Sequence, residues 1–471
     1  MSAPTESAAG SRLNLRRLDL AATDGATAGA LVALIRRGAV PDARTREGAR
    51  AILEEVRVGG AAAVRRASAT YGGGRPGGEL VIERAGLTAA VGRLSREVRR
   101  ALDQSIANVR RFAETQRPAT TRTTIVPGVE IERRWTPLRR VGCYVPGGSA
   151  PYPSSLVMTV VPARVAGVRE VVVASPADAS GQTDQVLLAA AGILEVDALL
   201  VAGGAQAIGA LAFGLADGGL APVDRIVGPG NAWVTAAKIE VSGLVGIDLP
   251  AGPSEGMVLA DHTADPVLVA ADLVTQAEHG PDSPAILVTT DADLADAVET
   301  EIERLLPMLE RRSILERALR EHGRIVFAPD LDRAIDFANA YAPEHLSVDV
   351  ADVEAAVARL DSAGSLFVGP WAPESAGDYA TGANHVLPTG GLARSCGPLS
   401  VEAFGRYSQV QRIDRGGLEA IADTVRTMAT AEGLTAHRNA VEARFRSPDA
   451  SASADITPAG LLSPAPEASD R

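Results

Sequence analysis

The chain has 471 residues, 46% hydrophobic and 22% charged, long enough for two or three domains whose cores need no staples. Its net charge of −12 is unevenly spread: the first 120 residues hold 20 arginines against 12 acidic residues, and the acidic remainder disfavours a nucleic acid partner. Two distant cysteines, Cys143 and Cys396, with no CxxC exclude a zinc ribbon and a disulfide framework, and a single lysine, Lys238, excludes a P-loop and leaves only one candidate for a Schiff base.

In chain order, the start MSAPTESAAGSRLNLRR has no basic segment followed by an apolar one, so residues 1–25 read as a tail and not as a secretory signal. Apolar residues at helical spacing predict successive helices between 26 and 117: ALVALIRRG, ARAILEEVRVGG and LSREVRRALDQSIANVRRFAETQ. VEIERRWTPLRRVGCYVP alternates and is rich in β-branched residues, which predicts paired strands. REVVVASP (169–176), DALLVAGG (197–204) and DRIVGPGN (224–231) are short buried strands in βα units, the pattern of a parallel, doubly wound sheet.

A second set of the same build begins after 253: GMVLAD, a helix over 266–279, PAILVTT, a helix over 291–311, RIVFAPD, a further helix, HLSVDV and SLFVGP. A strand and two helices are expected over 401–445, and the Pro/Ser/Ala-rich stretch 446–471 is expected to be disordered. The longest apolar runs, such as VLLAAAGILEV at 186–196, fall short of the roughly 20 residues that span a bilayer. No membrane partner is expected, and the cytoplasm is the default compartment.

Several stretches carry potential chemistry. In VTQAEHGPD (274–282), Gln276 and His279 are three positions apart on one helix face, with Asp265 and Pro266 as start signals and Gly280 and Pro281 as the stop. A lone histidine there is explained by the helix dipole without any metal. In YAPEHL, Glu344 and His345 stand at a helix-to-strand turn, where they read either as an acid–base pair or as a surface ion pair. ESAGDYATGANHVLPT is too polar and Gly-rich for a helix or strand, and reads as a binding loop carrying Asp378 and His385 or as an ordinary surface loop. VGCYVPGGSAP, VAGGAQAIG and VGPGNAWV each follow a strand, and none matches G-x-G-x-x-G; three such turns in one domain favour a nucleotide-like ligand.

Together with GGAQAIGALAFG, DRIVGPGNAWVTAAK, DLPAGPSE, QAEHGPDS, SAGSLFVG, PESAGDYATGANHVLPT and LTAHRNAV, these segments resemble the histidinol dehydrogenase family, in order and spacing, over about residues 26–445. The resemblance implies two similar Rossmann-like doubly wound domains with small helical N- and C-terminal tail segments: 26–143 with 253–400 as the first, 144–252 as the NAD-binding second, and 401–445 as a segment exchanged between the subunits of a homodimer. It further implies an NAD-dependent, zinc-containing oxidation of L-histidinol through L-histidinal to L-histidine. Carried over to this chain, the zinc ligands are Gln276, His279, Asp378 and His437, and the general base pair is Glu344 and His345. Substrate contacts are Ser254, His385 and Glu432 together with Glu344 and the zinc ligands, while Tyr144, Gln206 and Asn231 are the NAD positions.

Two readings from other classes compete. A zinc hydrolase of small amides leaves the glycine turns unused, and a non-catalytic nucleotide-binding protein leaves the histidine and carboxylate set unused. A thioester route through Cys143 or Cys396 lacks a partner able to hold the thiolate, apart from Arg394 near Cys396.

Overall fold

The computed structural model describes residues 13–22, 24–75, 77, 79–147 and 151–446. The expected disordered stretch 446–471, apart from Arg446, lies outside the described residues, as do 1–12 of the expected tail and the three residues 148–150 of the VGCYVPGGSAP turn. Two compact units are present, one made of Met1–Arg117 with Pro137–Gly405, the other of Pro118–Thr136 with Arg406–Arg471.

The first unit holds two six-stranded sheets of similar order. In one, Gly256–Ala260, Ala285–Thr289 and Arg324–Phe327 run to one side, and His345–Asp349 and Ser365–Val368 run to the other, all parallel. In the other, Arg140–Tyr144, Glu170–Ser175 and Ala198–Val201 run to one side, and Arg225–Val227 and Gly246–Ile247 to the other. This is the doubly wound order, which reverses direction beside the first strand. Strand residues alternate faces, and both faces are covered: Val258, Leu287 and Ile325 pack into one core, while Met257, Ile286, Val288 and Val326 pack into another. That is why these strands read as continuous apolar runs.

Four expectations are corrected. The tail is not a tail throughout, because Arg16–Asp19 adds a parallel edge strand beside Arg324–Phe327, with Leu13 and Leu15 buried in one core and Leu18, within the strand, in the other. Residues 26–143 do not go with 253–400 as one block. The helix Ala43–Tyr71 buries Ile52, Leu53 and Val56 against Ile208 and Leu211 of the other sheet's helices, and Val81–Glu83 pairs antiparallel with Ala198–Val201. VEIERRWTPLRRVGCYVP is not one pair of strands: Val129–Pro137 joins a three-stranded sheet with Thr121–Val126 and Gly405–Ile413, whereas Arg140–Tyr144, buried from Val141 on, is the first strand of the second parallel sheet. The helix expected over 291–311 ends at Leu305, ahead of Pro307, whose ring removes a backbone donor.

The second unit contains that three-stranded sheet and the helices Arg415–Ala431 and Thr435–Arg446, so the strand and two helices expected over 401–445 are present. Its buried Glu132 accepts from Arg134 (2.5 Å), Arg122 (3.1 Å) and Arg412 (3.1 Å), and the Arg134 hydrogen bond leads the effects that hold its carboxyl below the usual range.

In the turn after Arg225–Val227 the backbone passes close to Tyr144, the last residue of the neighbouring strand. Gly228 has φ +109°, and a Cβ there would collide with the carbonyl oxygen of Tyr144. Gly228→Ala is expected to destabilise the protein by about 2–4 kcal/mol, measured by thermal or denaturant unfolding. An unchanged unfolding midpoint would contradict this account of the turn.

Candidate active site

The helix Pro266–Glu278 starts where its sequence signals place it: the Asp265 side chain accepts from the Val267 N–H (2.9 Å), and Pro266 stands at the first helical position. Ala270, Leu273, Val274 and Ala277 bury its apolar face, and Gln276 is buried beside them. His279 closes the helix with φ −59° and ψ −35°. Because the helix runs back against the strands, its end returns to their amino edge.

At that edge the chain leaves the helix Leu331–Tyr341 through Ala342, which holds a left-handed φ of 52°, and Pro343 leads into Glu344 and His345. Glu344 and His345 are both buried, at 6% and 3% exposure, which removes the surface ion pair reading. Gly256 stands opposite His345 in the parallel ladder, and a Cβ on it would fall 2.6 Å from Gln276 Oε1. Its missing side chain is what lets the Gln276 amide lie over the strand start. Gln276 Oε1 is 3.2 Å from His345 Nδ1, and Gln276 Nε2 donates to Ser254 Oγ (3.3 Å).

The stretch expected to be wholly irregular opens with a short helix, Glu374–Tyr379. Glu374 and Asp378 are therefore one turn apart on one face. Glu374 Oε1 lies 2.9 Å from His279 Nε2 and 3.6 Å from His345 Nδ1, and Asp378 Oδ2 lies 3.9 Å from His279 Nε2. His279, Glu374 and Asp378 each offer a ligand atom within 4.8 Å of the others. His385 faces the Asp378 backbone and side chain, with Nδ1 3.1 Å from its carbonyl oxygen and 3.5 Å from Oδ1, while Nε2 is 3.3 Å from Ser155 Oγ. The rings of His279 and His345 stack at 5.9 Å.

Charge sets the proton affinities. Crowding by surrounding protein pushes down the imidazolium of His279, whose side chain keeps 32% exposure, but the hydrogen bond and charge of Glu374, with Asp378 and Glu344, outweigh it and raise the group to about 9. Burial raises Glu344 above the usual carboxylate range, opposed by His345 and by the Glu255 N–H, which donates to Glu344 Oε2 at 2.9 Å. Burial also acts on Asp378, yet His385, His279 and His345 hold it low.

Tyr144, Gln206 and Asn231 meet elsewhere, at the carboxyl ends of the second sheet's strands. They line a cavity of about 720 Å³ together with Gly203, Gly204 and Trp233. Tyr144 Oη accepts from the Gly204 N–H (3.2 Å), and Asn231 caps the helix Ala232–Val241. Lys238 is buried in an ion pair with Asp248 and donates to the carbonyl oxygens of Gly228 (3.0 Å) and Leu249 (3.1 Å), so it is held in the turn's framework. Cys143 is fully buried, and burial pushes its thiol up to about 12, which disfavours a thiolate.

Of the residues singled out in the sequence, Ser254, Gln276, His279, Glu344, His345, Asp378 and His385 come together in the first unit. Glu432 and His437 belong to the second unit, where both are exposed. Glu374 and Ser155 were missed. The four-residue spacing of Glu374 and Asp378 was a signal for the first; Ser155 had none, being one of two adjacent serines in an apolar helix.

A family model described as histidinol dehydrogenase matches residues 35–445. The chain is 46% identical over 397 residues to a histidinol dehydrogenase of Leifsonia xyli subsp. xyli, covering 84% of this chain and 91% of that one. It is 46% identical over 415 residues to one of Halobacterium salinarum, covering 88% and 96%. The crystal structure of histidinol dehydrogenase from Elizabethkingia anophelis is similar at a TM-score of 0.84 and 34% identity, covering 92% of this chain and 98% of that chain.

The His279–Glu374 contact has a consequence for the metal-free protein. His279 binds its proton more tightly folded, at about 9, than unfolded, at about 6.5, so its contribution is complete below about 6.5 and is lost as pH rises through about 9. In chelator, the unfolding midpoint of the parent is expected to fall more steeply between pH 6.5 and 9 than that of Glu374→Gln. Equal slopes would contradict the contact.

Proposed function

The chain belongs to the histidinol dehydrogenase family, and on that premise we propose that it catalyses the NAD-dependent, two-step oxidation of L-histidinol through L-histidinal to L-histidine, the last steps of histidine biosynthesis. The observation that carries this reading is the buried His345 imidazole, 3.2 Å from the Gln276 amide oxygen and next in sequence to a buried carboxyl whose proton affinity is raised. An imidazole and a carboxyl group side by side offer two groups for two successive proton removals.

The donor set fits zinc. Imidazole nitrogen from His279, carboxylate oxygen from Asp378 and amide oxygen from Gln276 suit that ion, and His437 of the second unit, contributed by a partner subunit, completes the proposed four ligands. Zinc held there would orient the substrate's imidazole and amine, and NAD held in the cleft lined by Tyr144, Gln206 and Asn231 would supply the hydride acceptor for each oxidation. His345 removes the alcohol proton in the first oxidation. In the second, Glu344 takes a proton from the water that attacks the aldehyde, and the resulting hydrate carries the next hydride. Ser254, His385 and Glu432 hold the polar ends of the substrate. The raised thiol of the buried Cys143 supports this hydrate route over a thioester.

Purified protein given NAD and L-histidinol is expected to form two NADH per histidine; no hydride transfer from L-histidinol would overturn the reading. His345→Ala is expected to slow the first oxidation by about 100-fold or more while the KM for NAD changes little, and the reverse pattern would remove it as base.

For the shared site, His279→Ala and His437→Ala are each expected to lose zinc and activity together. Mixed dimers of the two are expected to regain part of the activity, and no recovery in demonstrated mixed dimers would exclude a partner's His437.

A further inference from the structure

The two residues proposed as bases are held from behind by a second pair that the reaction does not touch. Glu255 is 3% exposed, one position before the strand Gly256–Ala260. Its backbone serves both bases: its N–H donates to Glu344 Oε2 (2.9 Å), and its carbonyl accepts from the His345 N–H (3.2 Å). Its carboxylate is gripped by Arg37, with Nε to Oε2 at 2.7 Å and Nη2 to Oε1 at 2.5 Å, and the Gly390 N–H donates to Oε1 (3.0 Å).

Arg37 holds the same turn from its other side. Its Nη1 donates to the carbonyl of Tyr341 (2.6 Å) and its Nη2 to that of Ala342 (3.4 Å), and the guanidinium carbon sits 3.2 Å from the centroid of the Tyr341 ring. Ala342 is one of two non-glycine residues with positive φ among the described residues, a conformation that costs on the order of 1–2 kcal/mol and persists only where surroundings impose it. One guanidinium thus fixes the residue that carries the bases' backbone partners and the strained turn that delivers them.

We propose that Arg37 and Glu255 are positioning residues for Glu344 and His345, an inference that rests on the proposed function. Stability alone is a poor reason for this pair, since a buried ion pair often adds nothing over apolar side chains of equal volume. What it supplies is geometry: a rigid fork reaches a carboxylate and two carbonyls at once, which a lysine's single ammonium on a flexible stem cannot reproduce.

The test compares Arg37→Lys and the double variant Arg37→Met/Glu255→Gln, which leaves no buried charge unpaired, with the parent and with His345→Ala in the zinc-loaded enzyme. Turnover is counted per folded, zinc-loaded site, from zinc content and unfolding curves. Both variants are expected to lose about 10- to 100-fold in kcat with KM for L-histidinol and NAD within about threefold, because a misplacement near 1 Å costs that much in rate. A merely structural role would lower the folded fraction and leave turnover per folded site at the parent value, and that result overturns the inference. If His345→Ala is inactive while both variants match the parent, the positioning role alone fails. If His345→Ala keeps parental turnover, the base assignment fails and takes this inference with it.

Discussion

The parallel pairing of Gly256–Ala260 with His345–Asp349, in which Gly256 stands opposite His345, is the constraint on which the candidate site depends. It joins segments about ninety residues apart. Once they are neighbours, the Glu255 amide meets Glu344, the Glu255 carbonyl meets the His345 amide, and the bare Gly256 leaves room for Gln276. The neighbouring helix then has to end at the same edge, because a helix that covers a parallel sheet runs antiparallel to its strands. Gln276 and His279 arrive beside Glu344 and His345 by that route.

The cluster so assembled collects carboxylates faster than cations. Glu344, Glu374 and Asp378 surround two imidazoles, and the negative field shows in the groups around it. His279 is raised to about 9 against the effect of burial, and Asp272, deeper on the same helix, is raised to about 6 by burial and by Glu374. A site of this sign suits a cation, which is the charge of the zinc proposed for it. Arg37 lies behind the cluster and is neutralised by Glu255, so it adds rigidity at that edge without cancelling the field.

The two sheets of the first unit share a strand order but present their polar groups at opposite ends. Tyr144, Gln206 and Asn231 follow the carboxyl ends of their strands, where an order reversal opens a crevice in doubly wound sheets. Glu344, His345, Ser254 and Gln276 gather at the amino edge of the other sheet, where that rule would not look. Asn384 and His385 bring the loop of the first sheet onto the helix Pro153–Ala166 of the second, through Met158 and Ser155. The similar build of the two sheets therefore does not gather their polar groups at the same end.

Much of this was legible in order along the chain. Apolar runs of five or six residues gave the buried parallel strands, Asp265 with Pro266 and Gly280 bounded the helix that carries Gln276 and His279, and the motif series gave the family. Local signals work there because strand burial and helix capping are decided by residues a few positions apart. What only tertiary structure decided lies at long range. Whether Arg140–Tyr144 pairs with the strand before it, whether the helix Ala43–Tyr71 covers one sheet or the other, and that Arg16–Asp19 forms an edge strand all depend on which apolar face finds which partner, and many faces look alike in sequence. Ser155, Arg37 and Glu255 went unread for the same reason: each acts through a contact with a residue 89 or more positions away, and no spacing within one element encodes a distance between two.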